Sequence, residues 1–554
     1  MNTHETNEST VPNPYAVTDD PDRAFWADAA ADAIERRSPD EPVVLKGGVS
    51  PSGIPHIGHF NEILRCYFVA EVLRERGHEV RQVFTADDRD RLRTLPRQLA
   101  DENWQIVGLS EVDAGALGRN LGRPYTDVPD PFGEADSYGD HFTDLLRRSV
   151  DRLDVPVEFV SNTELYETGA YDDAIRTVLG NRGRARDLLA GYQSGVDDSY
   201  VPFFPVCESC GNLTETVTGV DLDGWTVSYA CEDIETGDGV IEGCGHEGTT
   251  ALHNGKLPWR FEWPAQWDLL DVDFEPFGKD HAEGSWPSGV DIARRLFDIE
   301  PPVPMAYEWF TLEGKALSSS SGNVVTVDEV LELLEPAVLR YFFAKEPLKQ
   351  RDFSIERIDQ LVDRFDQFER AALDRTDTDQ VGLEPADRVY PMLVDEVREE
   401  RVRIPYTFAA VLGMTDDPAL REELARREGH IPEDASEETI SDALSRVNRA
   451  RAWARRTGNA FDYELKRSTL PDVDFDPETE RALDELAAFV AEGHDGETIQ
   501  AEIFTLTETH DVDTASFFAA GYRLFFDDTE GPKLGPFLSN LDRRFVVDRL
   551  RRER

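Results

Sequence analysis

Ser50-Pro51-Ser52-Gly53-Ile54-Pro55-His56-Ile57-Gly58-His59 stands between a short apolar run, Pro42 to Val49, and a stretch from Ile57 to Arg76 with apolar positions at helical spacing. That stretch stops at Gly77, a suitable C-terminal cap, and Glu79 to Thr85 then reads as a second strand. Strand, turn, helix and strand open a nucleotide-binding α/β layer, in which ligands sit outside the carboxyl ends of parallel strands. Each residue type of the turn has a use there. Pro51 and Pro55 stiffen it, Gly53 lets it bend, and the helix start near His56 directs amides and partial positive charge at an anion. His56 and His59 can donate to phosphate oxygens, and Gly58 leaves room for a flat base. This predicts an ATP site without a P-loop, since no G-x-x-x-x-G-K-[ST] pattern occurs.

A chain of 554 residues exceeds what one core supports. Apolar runs return at Val272 to Phe277 and Met305 to Leu312, and Asp328 to Phe343 reads as an amphipathic helix that closes the α/β layer. From about Ile355 the period is helical almost throughout. The expected order is a disordered extension (1–21), the first half of a Rossmann-like parallel-sheet domain (22–103), a connective insertion (104–255), the second half of the catalytic domain (256–345) and an all-α C-terminal domain (346–554).

The formal net charge is -53, with lysine scarce and acidic residues spread along the whole chain. Such a surface is hydrated and self-repelling, suited to the salt of a halophile's cytoplasm. An acidic chain contacts nucleic acid only where arginine is gathered. Two stretches qualify: Arg446, Arg449, Arg451, Arg455 and Arg456 on one helical segment, and Arg543 to Arg554 at the end of the chain. No apolar run is long enough for a membrane span, and no leader precedes the fold, so a cytoplasmic protein is expected.

Cys207-Glu-Ser-Cys210, Cys231 and Cys244 form a ribbon-like set suited to tetrahedral Zn²⁺ in a structural role, with His246 as reserve ligand. Cys66 falls within the first helix as a core thiol.

His56 to His59 are identified as the HIGH motif of the class I aminoacyl-tRNA synthetases. Far along the chain, Glu313-Gly314-Lys315-Ala316-Leu317-Ser318-Ser319-Ser320-Ser321-Gly322-Asn323 resembles the KMSKS loop in its serine-rich form, with Gly314 and Gly322 as hinges. With Leu317 in the place of the motif's methionine, its lysines are replaced by Ala316 and Ser321, leaving Lys315. Leu257 to His281, including Trp259-Arg-Phe-Glu262-Trp263-Pro-Ala-Gln266-Trp267 and Glu275-Pro-Phe-Gly-Lys-Asp280-His281, is similar to the substrate-pocket region of the archaeal class I lysyl-tRNA synthetases, with Glu262 and Gln266 where Asp and Arg are expected. Asp130 to His141 also resembles that family, whose second metal site is expected to be lost or weak here, because Glu134 and Ala135 replace two ligands while Asp130 and His141 persist.

The resemblance implies ATP-dependent ligation of L-lysine to tRNA(Lys) through lysyl-adenylate, with AMP and pyrophosphate released, Mg²⁺ accompanying ATP, tRNA required for activation, and an anticodon-binding C-terminal domain. It implies catalytic roles for His56, His59 and Lys315, and ATP contacts from Ser52, Gly53, Pro55, Gly58, Leu317 and Ser318 to Ser321. Ser50, Trp259, Trp263, Asp280, His281 and Tyr307 are expected to hold lysine, whose ammonium gains from a carboxylate and from aromatic faces. Arg446, Arg449 and Arg455 are expected at the tRNA, and the chain is expected to act as a monomer. The competing readings are a glutamyl-like class I synthetase and an inactive tRNA-binding relative; ATP–pyrophosphate exchange across amino acids separates them.

Overall fold

The computed structural model describes residues 11–18, 25–237, 239–317, 323–374, 385–398 and 401–553, which fall into two compact units. The first holds a five-stranded sheet. Its strands are β1 (Val43–Val49), β2 (Val80–Ala86), β3 (Glu158–Ser161), β4 (Val272–Gly278) and β5 (Val303–Tyr307), in the order β5-β4-β1-β2-β3. All four pairings are parallel. The chain builds outward from β1 to β3, then resumes on the other side of β1 with β4 and β5. The order therefore reverses between β1 and β4, the place where a crevice opens at the carboxyl ends of the strands.

The Ile57–His59 turn of 3-10 helix leads into α1 (Phe60–Glu75), whose faces are buried nearly all round against the sheet. The chain leaves α1 through Gly77, at φ +96°, a left-handed conformation that glycine adopts without strain. Close approach also demands Gly47 and Gly48. A Cβ at Gly48 would lie 2.3 Å from Thr85 Oγ1, and one at Gly47 would lie 3.1 Å from the Phe84 ring and 3.2 Å from Glu62 Cβ.

The insertion carries a three-stranded antiparallel sheet, Thr216–Asp221, Thr226–Ala230 and Glu247–Ala251, beside the cysteines. It returns to the α/β layer through α2 (Trp259–Leu269), which leads into β4.

The N-terminal extension differs from expectation. Residues 11–18 dock rather than trail: the Trp286 indole donates to the Pro12 carbonyl at 2.9 Å, the Ala306 amide of edge strand β5 donates to the Pro14 carbonyl at 2.8 Å, and Tyr15 packs against the tryptophan-rich core. Prolines suit this position, because the carbonyls serve the edge and no N–H is left wanting.

The second unit is helical among its described residues and includes α3 (Val447–Thr457). The chain does not enter it once, at residue 346. It passes between the units inside the helix Pro336–Ala344, and both Arg340–Phe353 and the helix Ala386–Leu393 belong to the first unit. No helix among the described residues is long and apolar enough to cross a membrane.

Candidate active site

The first turn holds its imidazoles by their inner nitrogens. Nδ1 of His56 accepts from the Gly58 amide at 3.1 Å, and Nδ1 of His59 accepts from the His56 amide at 3.3 Å. The rings stack with centroids 4.0 Å apart. Burial lowers the His56 pKa to about 4; burial, then the neighbouring His56, lowers that of His59 well below the ordinary value. Both rings are therefore neutral at pH 7, and an accepting Nδ1 leaves the proton on Nε2. Two neutral donors result, with tautomers set by the backbone. Gly58 has a further use beside the one expected: a Cβ there would meet the His56 ring at 2.7 Å, so the glycine also makes room for the imidazole.

The turn is tied to its surroundings. The Tyr138 hydroxyl donates to the Ser52 carbonyl at 2.9 Å, and the Ile57 amide donates to the Val325 carbonyl at 3.0 Å. A cavity of about 290 Å³ is lined by His56, Gly58, His59, Tyr307, Ala316 and Leu317, among others. The first turn and the start of the second loop thus share one space. The neck of that loop is closed by Asn323, whose side-chain amide donates to the Ala316 carbonyl at 2.8 Å. Lys315 is exposed on the short strand Lys315–Ala316, which pairs with Phe310–Leu312 through a turn at Gly314, φ +72°. Lys315 is not part of the cavity lining. Ser318, Ser319, Ser320 and Ser321 lie outside the described residues.

The residues expected to hold lysine gather at the carboxyl ends of β1, β4 and β5. Trp259 stacks on Trp263 at 5.3 Å, and His281 lies against both rings, at 6.1 and 5.7 Å. Asp280 is open, with 51% of its side chain exposed, and sits 3.8 Å from His281. Trp263 lies deeper: it is buried, and its indole donates to Glu275 Oε1 at 2.9 Å, while Trp267 donates to Oε2 at 2.5 Å. Lys46 completes that node at 2.7 Å from Glu275. Ser50 donates to Asp90 at 3.2 Å, and Asp90 pairs with buried Lys256, which also meets Glu262 at 2.9 Å. Glu262 in turn accepts from the Tyr166 hydroxyl at 2.7 Å. Glu262 and Gln266 are therefore members of a buried polar network. Sequence reasoning missed Lys46, Asp90 and Lys256, and it gave Glu275 no role of its own. A lysine inside the apolar run Val43-Val44-Leu45-Lys46, in a chain so poor in lysine, was the available signal.

The four cysteines converge, with all sulfurs within 4.8 Å of one another, Cys207 to Cys244 at 3.7 Å and Cys210 to Cys231 at 3.6 Å. They are the group of His, Cys, Asp and Glu among the described residues placed to hold a metal ion. Asp130 and His141 are 3.5 Å apart, yet Asp130 Oδ2 accepts from the amides of Glu134 and Ala135, at 2.7 and 2.9 Å, and His141 Nε2 meets the Ala100 carbonyl at 2.8 Å.

In the second unit the arginine stretch divides. Arg446 has 1% of its side chain exposed, binds both oxygens of Asp366 at 2.7 and 3.0 Å, and meets Glu335 at 3.0 Å. Its charge is consumed internally, so it does not present itself to a phosphate. Arg449 is half-buried and donates to the Leu331 carbonyl at 3.2 Å; Arg455 is exposed. Arg549 is likewise buried, donating to the carbonyls of Thr469, Leu524 and Lys466.

The family profile described as tRNA synthetases class I (K) matches residues 24–391. A lysine--tRNA ligase of Haloarcula marismortui is 66% identical over 540 residues, covering 98% of this chain and 99% of that protein. One of Halobacterium salinarum is 62% identical over 543 residues, again covering 98% and 99%. One of Pyrococcus horikoshii is 32% identical over 551 residues, covering 95% of this chain and 99% of the relative. Among solved structures, a glutamate tRNA ligase of Elizabethkingia meningosepticum aligns with a TM-score of 0.42 and 11% identity, covering 92% of this chain and 98% of that one. With the profile spanning most of its length and relatives of this identity along nearly all of it, the chain belongs to the class I lysyl-tRNA synthetases.

Proposed function

We propose that this chain ligates L-lysine to tRNA(Lys) in two steps, forming lysyl-adenylate from lysine and MgATP and then passing the lysyl group to the terminal ribose. The observation that carries the reading is the shared cavity: neutral His56 and His59, with Nε2–H groups left free of the backbone, face the same space as Ala316 and Leu317. Neutral imidazole donors can hold phosphate oxygens without being titrated by them, and the lysine carboxylate then attacks the α-phosphate while pyrophosphate leaves. Ser52, Gly53 and Pro55 form the approach to this site, and Lys315 with Ser318 to Ser321 supplies the second loop that meets the leaving group. Ser50, Trp259, Asp280, His281 and Tyr307 receive lysine, with Asp280 as the carboxylate open to its ammonium and Trp263 as the support behind Trp259. Arg455, with Arg449, contributes to tRNA contact, in a protein acting as a monomer in the cytoplasm.

The cysteines fit zinc. A tetrahedron with Zn–S bonds of about 2.3 Å has S–S edges of about 3.8 Å, close to the 3.6 and 3.7 Å found. Four protein ligands leave no open position, so the ion supplies cross-linking of the insertion and no chemistry.

Charging of tRNA(Lys) transcripts with labelled lysine tests the reading, together with ATP–pyrophosphate exchange across amino acids in the presence of tRNA. Lysine-dependent exchange and charging are expected. Exchange with glutamate instead, or with no amino acid at all, would sink it.

A further inference from the structure

Glu62 is absent from the roles assigned above, yet it touches two of the three strand ends that form the amino-acid pocket. It lies on α1, one turn beyond His59. Its Oε2 accepts from the Gly48 amide at the end of β1, at 3.0 Å, and its Oε1 accepts from the Tyr307 hydroxyl at the end of β5, also at 3.0 Å. These strands are not neighbours, because β4 lies between them. One carboxylate thus ties the helix that carries both histidines to the strand leading to Ser50 and to the strand bearing Tyr307. Gly47 permits the approach, since its missing Cβ would sit 3.2 Å from Glu62 Cβ.

The surrounding charges leave this carboxylate under-compensated. Lys46, on β1, is the nearby cation, but it is paired with Glu275 on β4 at 2.7 Å. Burial first, and then Glu275, raise the Glu62 pKa to about 7, against the Gly48 amide, the Tyr307 hydroxyl and Lys46. On its own helix the Cys66 thiol is a titratable neighbour, which burial, Glu62 and Glu275 hold in its protonated form. Asp280, beyond the end of β4, and Arg65, on α1 itself, also act on Tyr307 through their charges.

We propose that Glu62 is a positioning residue for the amino-acid pocket, its ionised form fixing the Tyr307 hydroxyl and the end of β1 in the arrangement that receives the amino acid. A protonated Glu62 has one acceptor oxygen fewer to offer, so the tie to Tyr307 or Gly48 weakens below about pH 7. This rests on the placing of Tyr307 and Ser50 in that pocket under the proposed function.

The test compares wild type, Glu62→Gln, Tyr307→Phe and the double variant in tRNA-dependent exchange at several pH values. Glu62→Gln keeps shape and one acceptor but does not titrate. It is expected to raise KM for lysine about 5- to 10-fold, with KM for ATP changed less than about 2-fold. The wild-type rise in lysine KM as pH falls from 8 to 6 is expected to flatten in the variant. The double variant should be no worse than the poorer single one, as for residues acting through one contact.

Stability supplies a readout that a merely structural role would move the other way. Glu62 takes a proton near pH 7 when folded but only at an ordinary glutamate pKa when unfolded, so its ionisation above pH 7 works against the fold. Glu62→Gln should therefore raise Tm at pH 8 while impairing lysine use. Equal rises in both KM values, an unchanged pH profile, or a lowered Tm with general loss of activity would each overturn the proposal. Should wild type activate a different amino acid, the reading of lysine fails, and the same KM split measured on that amino acid still decides the role of Glu62.

Discussion

The turn at His56 to His59 and the arginines from Arg446 to Arg456, at and along α3, both announce themselves in the sequence by side-chain chemistry, and the fold treats them in opposite ways. In the turn, backbone amides occupy the inner nitrogen of each imidazole and leave the outer one free. At the N-cap of α3, Arg446 turns inward and commits its guanidinium to Asp366 and Glu335. A functional donor is one whose other valences are satisfied locally. In a chain with net charge -53, an arginine is first in demand as an internal counterion.

Removing an imidazole should have the largest effect. His59→Ala is expected to lower kcat for adenylate formation about 100- to 1,000-fold, the usual loss for a preorganised donor, with Tm little changed. A loss below about 10-fold, measured by single-turnover adenylate formation, would mean that the turn is not aimed at phosphate.

Removing Arg446 should show the reverse signature. Arg446→Ala leaves Asp366 and Glu335 buried without their cation and is expected to cost about 3–5 kcal/mol, read as a lowered urea midpoint of the full chain. The cysteine site offers an intermediate case. Cys231→Ser should take zinc, measured by metal analysis, from about one per chain toward zero, and should expose the insertion to proteolysis.

Acid should act on the turn in a predictable direction. Folded His56 takes a proton only near pH 4, whereas the unfolded chain takes one near its ordinary value of 6.5. The contribution of neutral His56 is therefore complete above pH 6.5 and is lost as pH falls through that window. About 1–2 kcal/mol should disappear between pH 6.5 and 5, and His56→Gln should flatten that part of the curve. The smallest effect is expected at Arg455, where alanine should change stability by less than about 0.5 kcal/mol. It should raise KM for tRNA about 2- to 5-fold, less so at high salt.

What the sequence disclosed was local. The turn, the helix ended by Gly77, the cysteine set and the helical period beyond Ile355 all depend on neighbours within a few residues or on repeated spacing. What stayed hidden depends on partners far along the chain. Lys46 and Glu275 are 229 positions apart, and Arg446 and Glu335 are 111 apart. Neither pairing alters periodicity at either end. Gly58 was legible as a glycine that must be there but not as room for the adjacent ring, because that depends on the His56 rotamer. In α2, Trp263 reads from sequence as pocket wall, whereas in the fold it is buried with its indole donating to Glu275.

The segment that meets β5 through Pro12 and Pro14 has a practical consequence for handling the protein. It shields the outer margin of the main sheet. Cutting the chain back past residue 18 would bare the Ala306 amide and the Trp286 indole together, offering passing strands a place to zip on. A purification tag placed ahead of residue 11 leaves that seal intact, whereas a truncated form should clump as it is concentrated.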